Sequence, residues 1–443
     1  MGETMEKLIE ADGEALRAAV NDYSIAELAD GWYRLNQEQS MAVFLALDQT
    51  SRAELITELS STDQQILVAA LSVQATRDLL EVMDPDDLVD LIQSVSPEVR
   101  SEVLGHLSDE TRKETEFLLR FDDDDAAGLM TTRYAAIRAD ITAGAALSFL
   151  RKAPEELETI YYVYVVDSLQ RLIGVVTLRK LLISSDNRKI ADIMERNLVS
   201  VREDTDQEET ARVLDNHELI ALPVVDHWNR LLGIVTFDDV IDVIREEQSE
   251  DIYRMGAIAG DDENYLGSSV FKLIWRRLPW LVLLLLAGTI TTNVLAGYES
   301  LITRFAFLAL FIPVITQTGG NSGTQSSTLM IRGLATGQLR FNLIGKALAK
   351  ELTTGMVIGI ATGAVIFLRS ILLPPGIDII EAAAVSASLM AVVVFATLMG
   401  CLMPFVVDRF GGDPALASGP LMSTLIDVAG LTVYFEVSKI LLF

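Results

Sequence analysis

The chain is poor in the residues that most often carry covalent chemistry: it has one cysteine and three histidines. A single cysteine, Cys401, excludes an intramolecular disulfide and a cysteine-based metal site, and it fits a reducing compartment. No histidine lies beyond His227, and no nucleophile–base pair falls in the apolar segments, which argues against an intramembrane enzyme. There is no phosphate-binding loop and no phosphorylation motif, so nothing points to ATP hydrolysis. Residues 1–16 lack a basic stretch followed by an apolar one, so no cleavable signal peptide is expected.

Positive charge is scarce in one half only. From Phe271 onward there are 8 Asp+Glu and 11 Lys+Arg; the remainder of the 63 acids and 35 bases gives residues 1–270 a net charge of −31. An acidic half of this size repels nucleic acid and attracts cations, so divalent cations are expected partners and nucleic acid is not.

The other half is apolar. Five stretches suffice for about 20 residues of membrane helix each: Leu278–Tyr298, Phe305–Ile331, Glu351–Leu373, Ile380–Val407 and Pro414–Leu442. Arg276 and Arg277 precede the first. Arg332, Arg340, Lys346 and Lys350 crowd the loop after the second, and Arg409 follows the fourth. The positive-inside rule then places the N-terminal half in the cytoplasm and the C-terminus outside.

Residues 40–120 carry short helical repeats. Helix-start signals recur at Ser61, Ser72, Asp84, Ser96 and Ser108, and prolines follow Asp84 and Ser96 at the first helical position. Short helices that cannot bury a face alone imply a superhelix of paired repeats. The run Asp122–Asp125 marks a boundary. Beyond it one pattern occurs twice: Tyr161–Asp167 with Leu172–Thr177, and Ile220–Asp226 with Leu232–Thr236. Each copy is a β-rich strand, an aspartate turn and a strand ending Gly-x-Val-Thr, which resembles a tandem pair of CBS domains. That resemblance implies a ribose site at Thr236 and Asp239 in the second copy. In the first copy Thr177 is followed by Leu178, Arg179 and Lys180, which departs from it. Residues 240–255 then form a helix whose charged face, with Asp242, Glu246, Glu247, Glu250 and Asp251, is almost wholly acidic.

Two features of the apolar half carry chemistry. Asp427 sits among Leu425, Ile426, Val428 and Ala429, and an ionisable group at membrane depth costs about 2.5–3.5 kcal/mol. Pro313–Ser327 holds three glycines with Gln317, Asn321 and Gln325. It predicts backbone freed from helical bonding that is buried in protein or lines a wet cavity, with hard oxygen donors suited to a hydrated divalent ion. Tight small-residue packing is the plainer reading of its glycines. Ser418-Gly419-Pro420 predicts a break ahead of Asp427.

In this order of domains, and in its Gly-Gly-Asn-x-Gly-x-Gln core and Asp413…Asp427 segment, the chain resembles the MgtE family of magnesium channels. The resemblance implies a multidomain membrane protein: an all-α superhelical N-domain (1–127), an α/β tandem CBS pair (128–245), a connecting helix and linker (246–270), and a five-helix α transmembrane domain (271–443). It implies a homodimer in lipid with one pore between protomers, in a bacterial inner membrane. Asp427 falls at the pore aspartate, with Gly320 and Asn321 beside it. Regulatory Mg²⁺ ligands fall at Asp206, Glu208, Glu218, Asp239, Asp242, Glu247, Glu250 and Asp251, at Asp413 at the inner mouth, and at Asp86 and Asp90. Leu219 stands where an adenine-stacking aromatic is expected, which weakens the case for ATP. The expected function is passive Mg²⁺ entry, closed when cytoplasmic Mg²⁺ bridges the acids. A proton-coupled transporter using Asp427, or a membrane-anchored nucleotide sensor, are the competing classes.

Overall fold

The computed structural model describes residues 13–152, 157–260, 268–374 and 376–443. Two compact units divide the chain, the first ending at Glu247 and the second starting at Gln248.

The first unit opens with helices α1 (Glu14–Val20), α2 (Ile25–Gly31), α3 (Gln37–Ala46), α4 (Gln49–Thr57), α5 (Ser61–Ala70), α6 (Val73–Leu80), α7 (Pro85–Ser94), α8 (Pro97–His106) and α9 (Asp109–Leu118). From α2 onward they start every twelve residues, behind Ser24, Asn36, Asp48, Ser60, Ser72, Asp84, Ser96 and Ser108. The expected start at Ser61 is thus corrected to Ser60, and the ladder reaches back beyond residue 40. Ser24, Asn36, Asp48, Ser60, Ser72 and Ser108 each accept a bond from the amide three residues on, a cap worth about 1 kcal/mol. Asp84 precedes a proline and makes no cap bond; it forms an ion pair with Arg133 instead.

The same period closes the other helix ends. Four residues after the cap, Arg52, Gln64, Arg100 and Arg112 donate to carbonyls at the end of the preceding helix, at 3.0 Å to Phe44, 2.9 Å to Ile56, 2.9 Å to Ile92 and 3.1 Å to Leu104. These carbonyls have no partner within their own helix. Helices pack chiefly on the helix two places along: α1 on α3, α2 on α4, α4 on α6, α5 on α7, α6 on α8 and α7 on α9. This is the expected superhelix.

Two three-stranded sheets follow, β1 (Tyr134–Arg138), β2 (Thr159–Val166) and β3 (Leu172–Thr177), then β4 (Val201–Arg202), β5 (Ala221–Val225) and β6 (Leu231–Thr236). In each the first pair is parallel and the second antiparallel. Helices α10 (Ala143–Leu150), α11 (Leu178–Ile183), α12 (Gln207–Asn216) and α13 (Phe237–Met255) complete the repeats. The glycine of each Gly-x-Val-Thr is explained by a crossing chain. A Cβ at Gly174 would lie 2.7 Å from Met194 Sδ, and one at Gly233 would lie 2.6 Å from the Thr131 carbonyl. Helix α13 runs unbroken through the expected boundary at residue 245.

The second unit holds five long helices, α14 (Val270–Gly297), α16 (Phe307–Ala335), α17 (Ile344–Leu372), α18 (Ile379–Arg409) and α19 (Gly419–Leu442), with the short α15 (Glu299–Arg304) between the first two. Segments Val270–Gly297, Phe341–Leu372 and Ile379–Arg409 are long and apolar enough to cross a membrane. Helices α16 and α19 carry the polar stretch and Asp427. The central helix is α18, packed against α16, α17 and α19. Ser418 breaks the chain as expected, between a 3₁₀ turn at Pro414–Ala417 and α19.

One expectation fails here. The stretch Pro313–Ser327 is continuous helix, with its carbonyls inside α16 rather than freed from it. Its glycines serve helix packing. A Cβ at Gly319 would lie 2.8 Å from both Ile426 and Val392, one at Gly323 would lie 3.3 Å from the Ala396 carbonyl, and Gly400 of α18 sits directly on the Gly323 carbonyl. The smallest residues let the helix backbones approach, so the helix needs no break. Gly400→Ala should therefore cost about 1–3 kcal/mol. Gly320→Ala, whose new methyl would meet nothing nearer than Ser423 Oγ at 3.5 Å, should leave thermal unfolding in detergent unchanged.

Candidate functional site

The first unit gathers carboxylates around the start of α7. Asp86, Asp87 and Asp90 lie on that helix, Glu158 just before β2, and Asp239 in the first turn of α13. Burial holds Asp86 well above the ordinary carboxylate range, and the charges of Asp239, Asp87 and Glu158 raise it further. Its Oδ1 is buried with no hydrogen-bond partner among the described residues. Asp87 and Glu158 are pushed to about 7 by burial and then by Asp84 and Asp239. Asp90, exposed on one side of α7 although densely surrounded by protein, is pushed to about 7 by desolvation and then by Asp123 and Asp239. Asp239 is itself raised by burial, although Thr236 Oγ1 donates to it at 2.6 Å.

The sequence-predicted trio Asp86, Asp90 and Asp239 is thus brought into one electrostatic neighbourhood from two separate helices, α7 and α13. Arg133, paired with Asp84, is the cation beside it. A buried carboxylate oxygen without a donor suits a cation. Mg²⁺ needs only one or two carboxylates, because it keeps several of its waters. Among the described residues no three acidic, histidine or cysteine side chains stand close enough to form a fully protein-made cage.

The other acids are more scattered. Asp206 caps α12 and accepts from the Glu208 amide at 2.9 Å. Gln207 between them donates to Glu247 at 2.6 Å, which brings Glu247 to the start of α12. Glu218 follows α12 at φ 51°. Asp242 pairs with Arg245 at 3.0 Å. Asp251 lies in the last turns of α13. Glu250 and Asp413 both pair with Arg254. Asp122, Asp123 and Asp125, from the run that marks the domain boundary, help line an acidic crevice of about 470 Å³ with Arg120, Phe121, Glu203 and Asp204.

In the second unit, α16 lays Gln317, Asn321 and Gln325 along one exposed stripe at helical spacing. Gly320 faces Ser423 of α19, and Asp427, half-exposed, stands one turn further along α19. The predicted trio of Gly320, Asn321 and Asp427 therefore falls on two adjacent helices. Amide side chains exposed at membrane depth need water or protein against them, because lipid offers no hydrogen bonds.

The MgtE divalent cation transporter profile matches residues 312–437, the MgtE intracellular N domain profile matches 23–124, and the CBS domain profile matches 126–186 and 190–246. A magnesium transporter MgtE of Thermus thermophilus is 43% identical over 334 residues, which is 74% of this chain and 72% of that one. This chain belongs to the MgtE family of magnesium transporters. The MgtE of Bacillus subtilis is 33% identical over 326 residues, 74% of this chain and 71% of its own. Both are named as transporters, not enzymes. Among solved structures, the cytosolic domain of the Mg²⁺ channel MgtE in complex with ATP aligns with a TM-score of 0.53 at 40% identity, covering 54% of this chain and 98% of that one.

Within this MgtE chain, several contributing residues escaped the sequence. Asp87 and Glu158 join the acidic cluster only through the fold. Glu351 is buried in α17, where Ser326 Oγ donates to it at 2.8 Å and also lies 2.9 Å from the Thr397 carbonyl of α18. It was visible as an acid at the edge of the third apolar stretch. Arg254 was visible four residues after Glu250, the spacing of a helical ion pair.

The raised carboxylates set a pH dependence. In metal-free protein these groups destabilise least below about pH 4, where they are protonated in both states, and Asp87, Asp90 and Glu158 withdraw stability as pH rises from there through about 7. Calorimetry in a chelator should show melting of the first unit falling across that window. Added Mg²⁺ should flatten the curve, and Asp86→Asn with Asp90→Asn should flatten it without Mg²⁺.

Proposed function

We propose that this MgtE protein is a passive magnesium channel of the bacterial inner membrane, closed from the cytoplasmic side when Mg²⁺ binds its acidic half. The observation that carries this reading is the exposed amide stripe of α16 beside Asp427 of α19. In one protomer these groups would face lipid, and a second copy laid against them encloses a wet path instead. The pore thus runs between the protomers of a homodimer, with Asp427, Gly320 and Asn321 along it and five helices of each chain crossing the bilayer. Asp427 carboxylates hold a hydrated ion without stripping its water, which Mg²⁺ gives up reluctantly. An inside-negative potential of 100 mV favours entry of a divalent ion by about 4.6 kcal/mol, twice the single-charge value, and suffices as the driving force. The cytoplasmic N-terminal half and outward C-terminus follow from the basic loops.

Closure uses the first unit. Asp86, Asp90 and Asp239 with their neighbours repel one another when Mg²⁺ is scarce. When it is plentiful the ion replaces the protons that these groups otherwise hold, draws the acids together and favours the closed state in proportion to its preference for that state. Helix α13, continuous from Asp239 to Met255, carries the change. Asp206, Glu208, Glu218, Asp242, Glu247 and Asp251 add weaker sites. ATP, bound in the solved cytosolic domain of a family member, is proposed to bind here at Thr236 and Asp239. Leu219, partly buried against the core, gives it an aliphatic rather than an aromatic neighbour.

In proteoliposomes under an inside-negative potential, Asp427→Ala should abolish Mg²⁺ uptake while leaving thermal stability intact. Wild-type uptake should proceed at the same rate with and without a proton gradient. Undiminished flux in the variant, or dependence on the gradient, would favour the coupled transporter.

A further inference from the structure

The last turns of α13 belong to the second unit, and they differ from the rest of the helix. Arg254 forms ion pairs with Glu250, one turn back, and with Asp413 at the head of the Pro414–Ala417 turn. Asp413 is divided between two tasks. Its Oδ1 accepts from the Ala415 amide at 2.7 Å, and its Oδ2 takes the guanidinium. The helix end is seated by a second set of contacts. Ser418 Oγ lies 3.2 Å from the Met255 carbonyl and 2.9 Å from the Ala415 carbonyl, so its single proton is shared between the helix end and the turn. Gly419, at φ +24°, would place a Cβ 2.8 Å from that same carbonyl, so a larger residue would push the helix end away. Arg254 also lies in the last turn of α13, where the helix dipole favours positive charge.

Two carboxylates from separate elements facing one cation are the donor set that the sequence assigned to a divalent ion. We infer that this cation position is taken by the chain's own Arg254, so that the end of α13 seats on the Pro414–Ala417 turn without a metal ion. A guanidinium cannot lose its proton, and it presents several donors in a fixed fork that matches two carboxylates. A magnesium ion would have to displace it and shed part of its own water shell. This contact is therefore a permanent seat, and the sensing of Mg²⁺ rests with the acids of the first unit. The inference depends on the proposed function only for what the seat controls, since the contact itself is a matter of geometry within the second unit.

The seat can be read without any transport step. Spin labels at Gln248→Cys and Phe410→Cys, both exposed positions, report its distance by pulsed EPR in full-length protein diluted with unlabelled chain. Cys401 is buried and stays unlabelled. In a chelator, otherwise unmodified protein should give one narrow distance distribution. Arg254→Gln should lower the seated-to-unseated ratio about three- to tenfold, in keeping with loss of a partly exposed, charge-assisted contact. Arg254→Lys should restore most of it, and Mg²⁺ added to Arg254→Gln should narrow the distribution again by entering the vacated position. The inference is overturned if the parent protein narrows only on adding Mg²⁺, if Arg254→Gln is as narrow as the parent in chelator, or if Mg²⁺ leaves Arg254→Gln broad. Because no ion flux is measured, failure of the channel reading at Asp427 leaves these outcomes interpretable.

Discussion

Like charges crowded together with little water between them are the constraint on which the rest of this protein turns. Asp86, Asp87, Asp90, Glu158 and Asp239 are crowded around one helix start, and each lies above the ordinary carboxylate range because burial and its neighbours penalise its charge. Such a cluster is costly unless protons or metal ions share it. Folding and cation binding are therefore linked by necessity. The superhelix supplies the rigid backing that this requires. From α2 to α9 each helix is capped at its start, tied at its end by an arginine or glutamine of the next repeat, or both; α7 is held by Arg100 at its end and by the Asp84–Arg133 ion pair ahead of its start.

The membrane unit solves a different problem with different residues. Its polar groups have few alternatives: the amides of α16 lie on one stripe, and others are satisfied within the bundle, as Glu351 is by Ser326. Glycines at 319, 323 and 400 close α16 onto α18 and α19 on the side away from that stripe. One helix thus has a small-residue face for packing and an amide face for water. In the same unit Arg254 pairs with Glu250 and Asp413, and on our inference supplies the positive charge a metal ion would otherwise bring. On the proposed reading the protein separates a contact that is always made from one that reports the ion concentration.

What could be read from the sequence was whatever is encoded locally. The two CBS copies were legible because the strand, aspartate turn and Gly-x-Val-Thr recur within short windows, and the caps were legible because serine or aspartate before an apolar period has one common meaning. Where two serines adjoin, at Ser60 and Ser61, local chemistry does not choose, and the twelve-residue register set by the packed superhelix does. The roles of Arg52, Gln64, Arg100 and Arg112 were hidden because their acceptors are carbonyls of another helix. The glycines of α16 were misread as a break, since glycine permits both an irregular backbone and a close helix approach. Only the positions of Val392, Ala396 and Ile426 decide between these. Asp87 and Glu158 carry no signature of their own, and it takes the fold to set them beside Asp239.

The central claim is that the acidic half gauges the ion the membrane half admits. Inside-out patches held at a fixed inside-negative potential, with no proton gradient, test it most directly across a series of cytoplasmic Mg²⁺ concentrations. The account predicts inward Mg²⁺ current that is largest in the absence of cytoplasmic Mg²⁺ and falls steeply as that concentration rises. A current indifferent to cytoplasmic Mg²⁺, or one that vanishes without a proton gradient, would contradict it.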